Sequence, residues 1–240
     1  MNDLKYFISK VKSNPLGLIK RAFLKTVIEP LKYGEKGGYK ADRYWQDRFS
    51  KYGSSIFGPG DHSFSAKDNL KMYNEARNIF IEELKKENLD FEKVNVLEIG
   101  CGHGHYTKTL QELGVKNYTA IDITDVLFAQ HKENFSGFKF IKKDVSQEKI
   151  EGQFGLIVMI DVIEHIVEDE KFQYTMNNIK NALAPDGIFV ITPVAQKTKK
   201  HLYYVKFWSL QDIQCYFEGC AFRKLVPFRT SHLLIIKNTK

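Results

Sequence analysis

"VLEIGCGHGHYT" (96–107) runs from an apolar stretch into glycines at every second position, 100, 102 and 104. A short apolar run bounded by glycine reads as a buried strand, and a helix beginning near His105 completes a strand–turn–helix unit. Glycine permits a positive φ and leaves no Cβ between a ligand and the backbone. In an open α/β sheet such a turn lies at the carboxyl end of the strand, where that architecture binds ligands. Asp122 closes the next apolar run about 20 residues later, where a carboxylate can accept from both hydroxyls of a ribose. Together the two features point to a nucleoside.

Outward from this stretch, apolar runs at 94–99, 118–123, 138–142, 154–160 and 187–192 alternate with amphipathic segments near 105–113, 125–134 and 169–183. That alternation predicts βαβ units and a parallel sheet. A helix over 209–217 and two further apolar runs, 222–228 and 232–236, follow as an antiparallel C-terminal pair. The expected fold is α/β: a Rossmann-like, doubly wound, seven-stranded, mainly parallel sheet with an antiparallel C-terminal strand and a helical N-terminal extension. Residues 91–240 form the nucleoside-binding domain, 37–90 a helical cap or lid, and 1–36 a basic amphipathic arm.

"LEIGCGHG" (97–104) has the E-x-G-x-G-x-G form of class I S-adenosylmethionine-dependent methyltransferases, and further stretches match that family in order. "AIDIT" (120–124) stands at the ribose position and "KKDVS" (142–146) at the adenine position. "FGLIVMIDVIEHI" (154–166) is similar to the fourth-strand motif, "LAPDGIFVITPV" (183–194) to the fifth helix-to-strand turn, and "FWSLQDIQCYFEGCAF" (207–222) to the late helix. The chain resembles the family from about 94 through 236. The resemblance implies S-adenosylmethionine as cofactor. It sets the backbone of Gly100, Cys101, Gly102 and Gly104 beside the methionine portion, with Glu98 orienting that loop. Asp122 would hold the ribose, Asp144 the adenine amino group, and Ile123 and Val145 would sandwich the ring, with Ile160 at the end of the fourth strand. The segment "YW..RF" (44–49) resembles the N-terminal part of bacterial small-molecule methyltransferases that closes over the methionine end, which selects Tyr44, Trp45 and Arg48.

Methyl transfer requires a nucleophile held in line and dry, with a base where that nucleophile carries a proton. Asp161, Glu164 and His165 recur at i, i+3 and i+4, which would share one face of a short helix at the ligand-binding edge. His165 is the leading base, because imidazole titrates near neutrality. "DVIEH" also resembles the E-x-x-E-H segment with which some O-methyltransferases bind a divalent metal. If a metal is present, Asp161, Glu164 and His165 are its ligands, but the first ligand is a shorter aspartate and a metal is not favoured. His201 is read as a surface residue rather than a fourth ligand or second base.

The formal charge of +7 is unevenly placed: residues 1–40 hold nine Lys/Arg against three acidic residues, while the remainder holds 27 against 26. A near-neutral body argues against nucleic acid as a partner. Within the arm, Asn14-Pro15 opens a helix on which Leu16, Ile19, Phe23, Val27 and Leu31 share one face. Such a helix packs on its own domain or contacts an anionic membrane surface or a partner protein. Four lysines and four aromatics in 196–208 would hold a phosphate or carboxylate on the acceptor. Three cysteines and no apolar run of membrane-spanning length suit a reducing cytoplasm. The expected activity is O-methylation of a small, anionic, sugar- or polyol-derived metabolite of surface-glycan assembly. RNA or protein methylation, and a non-catalytic cofactor-binding subunit, are the alternatives.

Overall fold

The computed structural model describes residues 23–62 and 64–239; the beginning of the predicted arm helix, with Leu16 and Ile19, lies outside them. The sheet strands are β1 (Asn95–Ile99), β2 (Asn117–Asp122), β3 (Lys139–Lys142), β4 (Phe154–Ile160), β5 (Leu183–Val194), β8 (Cys220–Phe222), β9 (Val226–Phe228) and β10 (Ser231–Asn238). Their order is β3-β2-β1-β4-β5-β10-β8, with β9 also paired to β10. Every pair through β5 is parallel, and β10 runs antiparallel to β5. The mainly parallel sheet with an antiparallel C-terminal strand is therefore as the sequence predicts.

One expected strand, 222–228, is broken. β8 and β9 occupy the same side of β10, and the register slips between them, from Phe222 opposite Ile236 to Val226 opposite Leu233. Three residues, 223–225, therefore face two, which is the two-against-one count of a bulge. Pro227 lacks the N–H that an uninterrupted ladder would need and sits on this edge strand, where its loss is tolerated. The sheet consequently has eight strands in seven positions.

Strand alternation sends side chains to two cores. Leu97, Ile99, Ile157, Met159, Phe189 and Ile191 face one layer, with Met176 and Ile179 of helix α6 (Asp169–Ala182) and Ile213 of α7 (Leu210–Gln214). Val96, Leu156, Val158, Ile188 and Val190 face the other, with Phe80 and Leu84 of α3 (Ala66–Lys85) and Leu110 of α4 (His105–Glu112). A strand buried on both faces has no wet side to mark in sequence, which is why these runs are continuously apolar. Helix α3 falls inside the expected cap segment 37–90, yet its Phe80 and Leu84 are fully buried in the sheet's core. Ahead of it stand a π-helical turn, Leu24–Ile28, and helices α1 (Glu29–Tyr33) and α2 (Ala41–Tyr52). Helix α5 (Phe128–Asn134) closes the set between β2 and β3. The lysine-bearing insert forms a separate hairpin, β6 (Lys199–Leu202) with β7 (Val205–Phe207). No described helix is long and apolar enough to cross a membrane.

Glu98, on β1, is an acid buried in the core, 3% exposed. Its carboxylate accepts from Thr107 Oγ1 at 2.9 Å and from Tyr118 OH, tying β1 to α4 and β2. Burial outweighs those two bonds and pushes its pKa up to about 7. Between the unfolded value of 4.5 and about 7, the folded state holds a proton that the unfolded chain has released. Stability should fall by roughly 2–4 kcal/mol as pH rises through that window. Glu98→Gln should flatten this dependence, measured as urea midpoints between pH 5 and 8; an unchanged slope would assign the effect to another group.

Candidate active site

A cavity of about 590 Å³ opens at the carboxyl ends of β1 through β4, within the range of small-molecule and cofactor sites. It lies where the strand order reverses between β1 and β4, the switch point at which open α/β sheets bind ligands. Gly100, Cys101 and Gly102 line it, together with Asp122, Ile123, Asp144, Val145 and Ile160.

The glycine loop is fixed by a close approach at Gly100 and by hydrogen bonds at Gly102. Gly100 has φ +76°, and a Cβ there would sit 2.2 Å from Val162 Cγ2. Gly102 donates its N–H to Asp122 Oδ2 at 3.0 Å, and its carbonyl accepts from His131 Nε2 at 2.9 Å. Gly104, φ +85°, caps α4 against His131 and Phe135 and does not line the cavity. Asp122 Oδ1 accepts from Thr124 N at 3.1 Å, so the carboxylate spans the loop after β1 and the turn after β2. Burial raises its pKa against these two donations. Cys101, also buried, turns its thiol towards the same carboxylate at 3.9 Å. Asp144 folds its own turn, accepting from Ser146 N at 2.9 Å and from Ser146 Oγ at 2.6 Å.

The expected helical face over 161–165 does not form. Asp161 has φ +56°, and only Ile163–His165 makes a 3₁₀ turn, so the i, i+3, i+4 spacing does not align the three side chains. Asp161 is ion-paired with Arg229, itself at φ +52° in the turn between β9 and β10. Two non-glycine residues in left-handed conformation, bonded to each other at a cavity wall, mark a place where packing overrides local preference. Glu164 is buried outside the cavity lining, and burial, then the negative charge of Asp161, holds its carboxyl well above the usual range. His165 reaches the cavity: its Nδ1 donates to the Tyr204 carbonyl at 3.1 Å, leaving Nε2 unprotonated, 4.0 Å from Glu164 Oε1. Burial lowers its pKa to about 4, so it is neutral over the physiological range. Among the described residues no cluster of three His, Cys, Asp or Glu side chains is arranged to hold a metal ion.

Of the three N-terminal candidates, only Trp45 lines the cavity, edge-on to His165 at 4.9 Å between centroids. Tyr44 lies behind it, packed between Tyr33, Tyr39 and Tyr204. Arg48 donates to the carbonyls of Phe57, Gly58 and Gly60 and so shapes the Gly-Pro-Gly turn. The lysines of 196–208 are absent from the lining: Lys206 pairs with Asp169, and His201 is exposed on β6. The hairpin instead contributes Tyr203 and Tyr204, which pack on Tyr39. Sequence reading passed over Tyr73, His103, His105 and Arg229. The imidazoles of His103 and His105 lie parallel at 5.9 Å, with Tyr73 edge-on to both and the Arg229 guanidinium 4.2 Å over Tyr73. Two histidines alternating with the loop glycines were a visible signal; Arg229 comes from 68 residues beyond Asp161 and gave none.

A family described as a methyltransferase domain matches residues 69–226. A ubiquinone biosynthesis O-methyltransferase of Rickettsia bellii is 29% identical over 150 residues, 59% of this chain and 61% of that protein. A malonyl-[acyl-carrier protein] O-methyltransferase of Bacillus cereus is 24% identical over 123 residues, 50% of this chain and 45% of its own. The chain thus spans about three-fifths or less of the length of these relatives. Magnesium protoporphyrin IX methyltransferase from Synechocystis PCC 6803, solved with bound SAM, superposes with TM-score 0.60 at 17% identity, covering 82% of this chain and 97% of that one. The N-methyltransferase NodS from Bradyrhizobium japonicum, in complex with S-adenosylhomocysteine, superposes with TM-score 0.55 at 20% identity, covering 69% and 88%.

Gly100→Ala should destabilise the protein by roughly 2–4 kcal/mol, combining left-handed strain with the clash against Val162. Adding Val162→Ala should recover part of the loss in thermal unfolding, and a double variant no better than the single one would remove Val162 as the cause.

Proposed function

The chain belongs to the class I S-adenosylmethionine-dependent methyltransferases through the methyltransferase domain matched over residues 69–226, and from that premise we propose that it transfers a methyl group from S-adenosylmethionine to a hydroxyl of a small acceptor. The observation that carries the reading is the Gly100–Gly102 loop, closed to a Cβ at Gly100 and tied through the Gly102 N–H to a buried Asp122 at the end of the neighbouring strand. The lining also carries seven acidic residues against four lysines, which suits a donor of net positive charge. When bound, S-adenosylmethionine supplies an electrophilic methyl on a sulfonium sulfur.

The chain's own residues then divide the work. Asp122 offers its remaining lone pairs to the ribose hydroxyls, and Asp144 with Ile123 and Val145 receives the adenine. Trp45 and Phe49 cover the site from α2 and exclude water. His165 takes the acceptor's hydroxyl proton at Nε2, the ring nitrogen left free by the bond from Nδ1 to the Tyr204 carbonyl. Asp161, paired with Arg229, positions the wall opposite.

The acceptor is of the sugar or polyol type used in surface-glycan assembly, recognised through its hydroxyls. The insert's lysines, from which an anionic acceptor is expected, do not line the cavity; the lysines that do are Lys40, Lys142, Lys143 and Lys171, of which Lys142 pairs with Asp125 and Lys171 with Glu168.

Titration calorimetry should give micromolar binding of S-adenosylmethionine and S-adenosylhomocysteine, weakened at least about 30-fold in Asp122→Ala; wild-type protein binding neither ligand would overturn the assignment. His165→Ala should bind both normally and lower kcat by about 10²–10⁴-fold once an acceptor is in hand. Full turnover in that variant would remove His165 as the base.

A further inference from the structure

The N-terminal helical segment is amphipathic in the reverse of the usual sense. In a helix packed on its own domain the apolar stripe faces inward and the lysines face water. Here the polar side is the one attached to the body. Lys25 donates to Tyr44 OH at 2.8 Å, lies 4.4 Å over the Tyr204 ring and pairs with Glu29 at 2.8 Å. Glu29 accepts from Tyr203 OH at 3.1 Å, and Lys32 pairs with Asp47 at 2.6 Å. The Lys25 and Glu29 side chains are only 18% and 24% exposed. The opposite side presents Phe23, Val27, Ile28 and Leu31, exposed at 56%, 39%, 43% and 82%. Those positions follow i, i+4, i+5 and i+8, one continuous face. The bonds to the tyrosine cluster hold the segment in this orientation, so the apolar face cannot turn inward without breaking them.

We propose that this face docks the protein on an anionic bilayer surface. Charge selects the occupant. The sequence leading into the face carries Lys5, Lys10, Lys12, Lys20 and Arg21 against a single acid, Asp3. An apolar helix face continuous with a cationic segment is the pattern that binds the interface of anionic membranes, where apolar side chains enter the headgroup boundary and lysines meet lipid phosphates. Another protein's apolar groove would match the side chains but leave that charge unanswered. The docked segment is joined to the cavity: Tyr39 and Trp45, which line it, pack in the same cluster as the Tyr44 and Tyr204 that hold Lys25. The inference stands on exposure and charge, independently of the reaction assigned above.

The test uses the full chain in co-sedimentation with vesicles of phosphatidylcholine alone and of phosphatidylcholine mixed with phosphatidylglycerol. Wild-type protein should bind the anionic vesicles at least about tenfold more tightly than the neutral ones, and less tightly as salt is raised. Phe23→Ser with Leu31→Ser should cost at least about tenfold in anionic-vesicle binding, with the circular dichroism spectrum and thermal midpoint unchanged, because both side chains are exposed. No binding to anionic vesicles, or binding untouched by the double variant, would overturn the proposal. So would sedimentation velocity showing a dimer that the double variant splits into monomers, since the face would then belong to a second copy of this chain.

Discussion

The buried carboxylate of Asp122 is the tie on which the ligand-binding edge depends. One oxygen holds the loop that leaves β1 and the other holds the turn that leaves β2, so two adjacent strand ends are locked to a single group. A carboxylate in that position is expensive to bury, and the raised pKa is the mark of the cost. Backbone N–H groups with no other partner offset it. The same tie explains why the glycines alternate. With Gly102 drawn to Asp122 on one side and to His131 on the other, Gly100 passes under Val162 without room for a methyl group.

A second tie, Asp161 with Arg229, closes the opposite wall. It joins the end of β4 to the turn between β9 and β10, and both residues hold left-handed backbone conformations that their side chains disfavour. Arg229 reaches Asp161 from that turn, beyond the break at 223–225 that divides the expected C-terminal strand into β8 and β9. Engaging Asp161 in this way leaves His165 as the titratable side chain of its turn that both lines the cavity and keeps a free lone pair. Its tautomer is fixed by the Tyr204 carbonyl, which comes from the β6–β7 hairpin.

Tyrosines form the third layer. Tyr33, Tyr39, Tyr44, Tyr203 and Tyr204 join the helices before the sheet to the hairpin after β5, and Lys25 and Glu29 attach the N-terminal segment to that cluster. A cavity wall built from aromatic edges excludes water while leaving hydroxyl groups to receive polar side chains from outside. The segment's polar face is thereby used internally and its apolar face is left outward.

The sequence by itself determined the parallel sheet, the antiparallel C-terminal strand, the glycine loop and the acid that follows it, because each is a local pattern. Doubly buried strands are continuously apolar, and a turn closed to Cβ must be glycine. Tertiary structure decided what the polar residues of that edge do. The spacing of Asp161, Glu164 and His165 suggests a shared helical face, but a pair formed with Arg229, 68 residues away, and a left-handed φ dissolve it. The lysines of 196–208 suggest an anion site, but the hairpin turns its tyrosines inward. The arm's apolar stripe fits either a packed helix or a contact surface, and over residues 23–31 the Lys32–Asp47 ion pair and bonds to the tyrosine cluster turn it out. In each case the deciding partner is distant in sequence, and periodicity records which residues share a face, not which neighbour that face will meet.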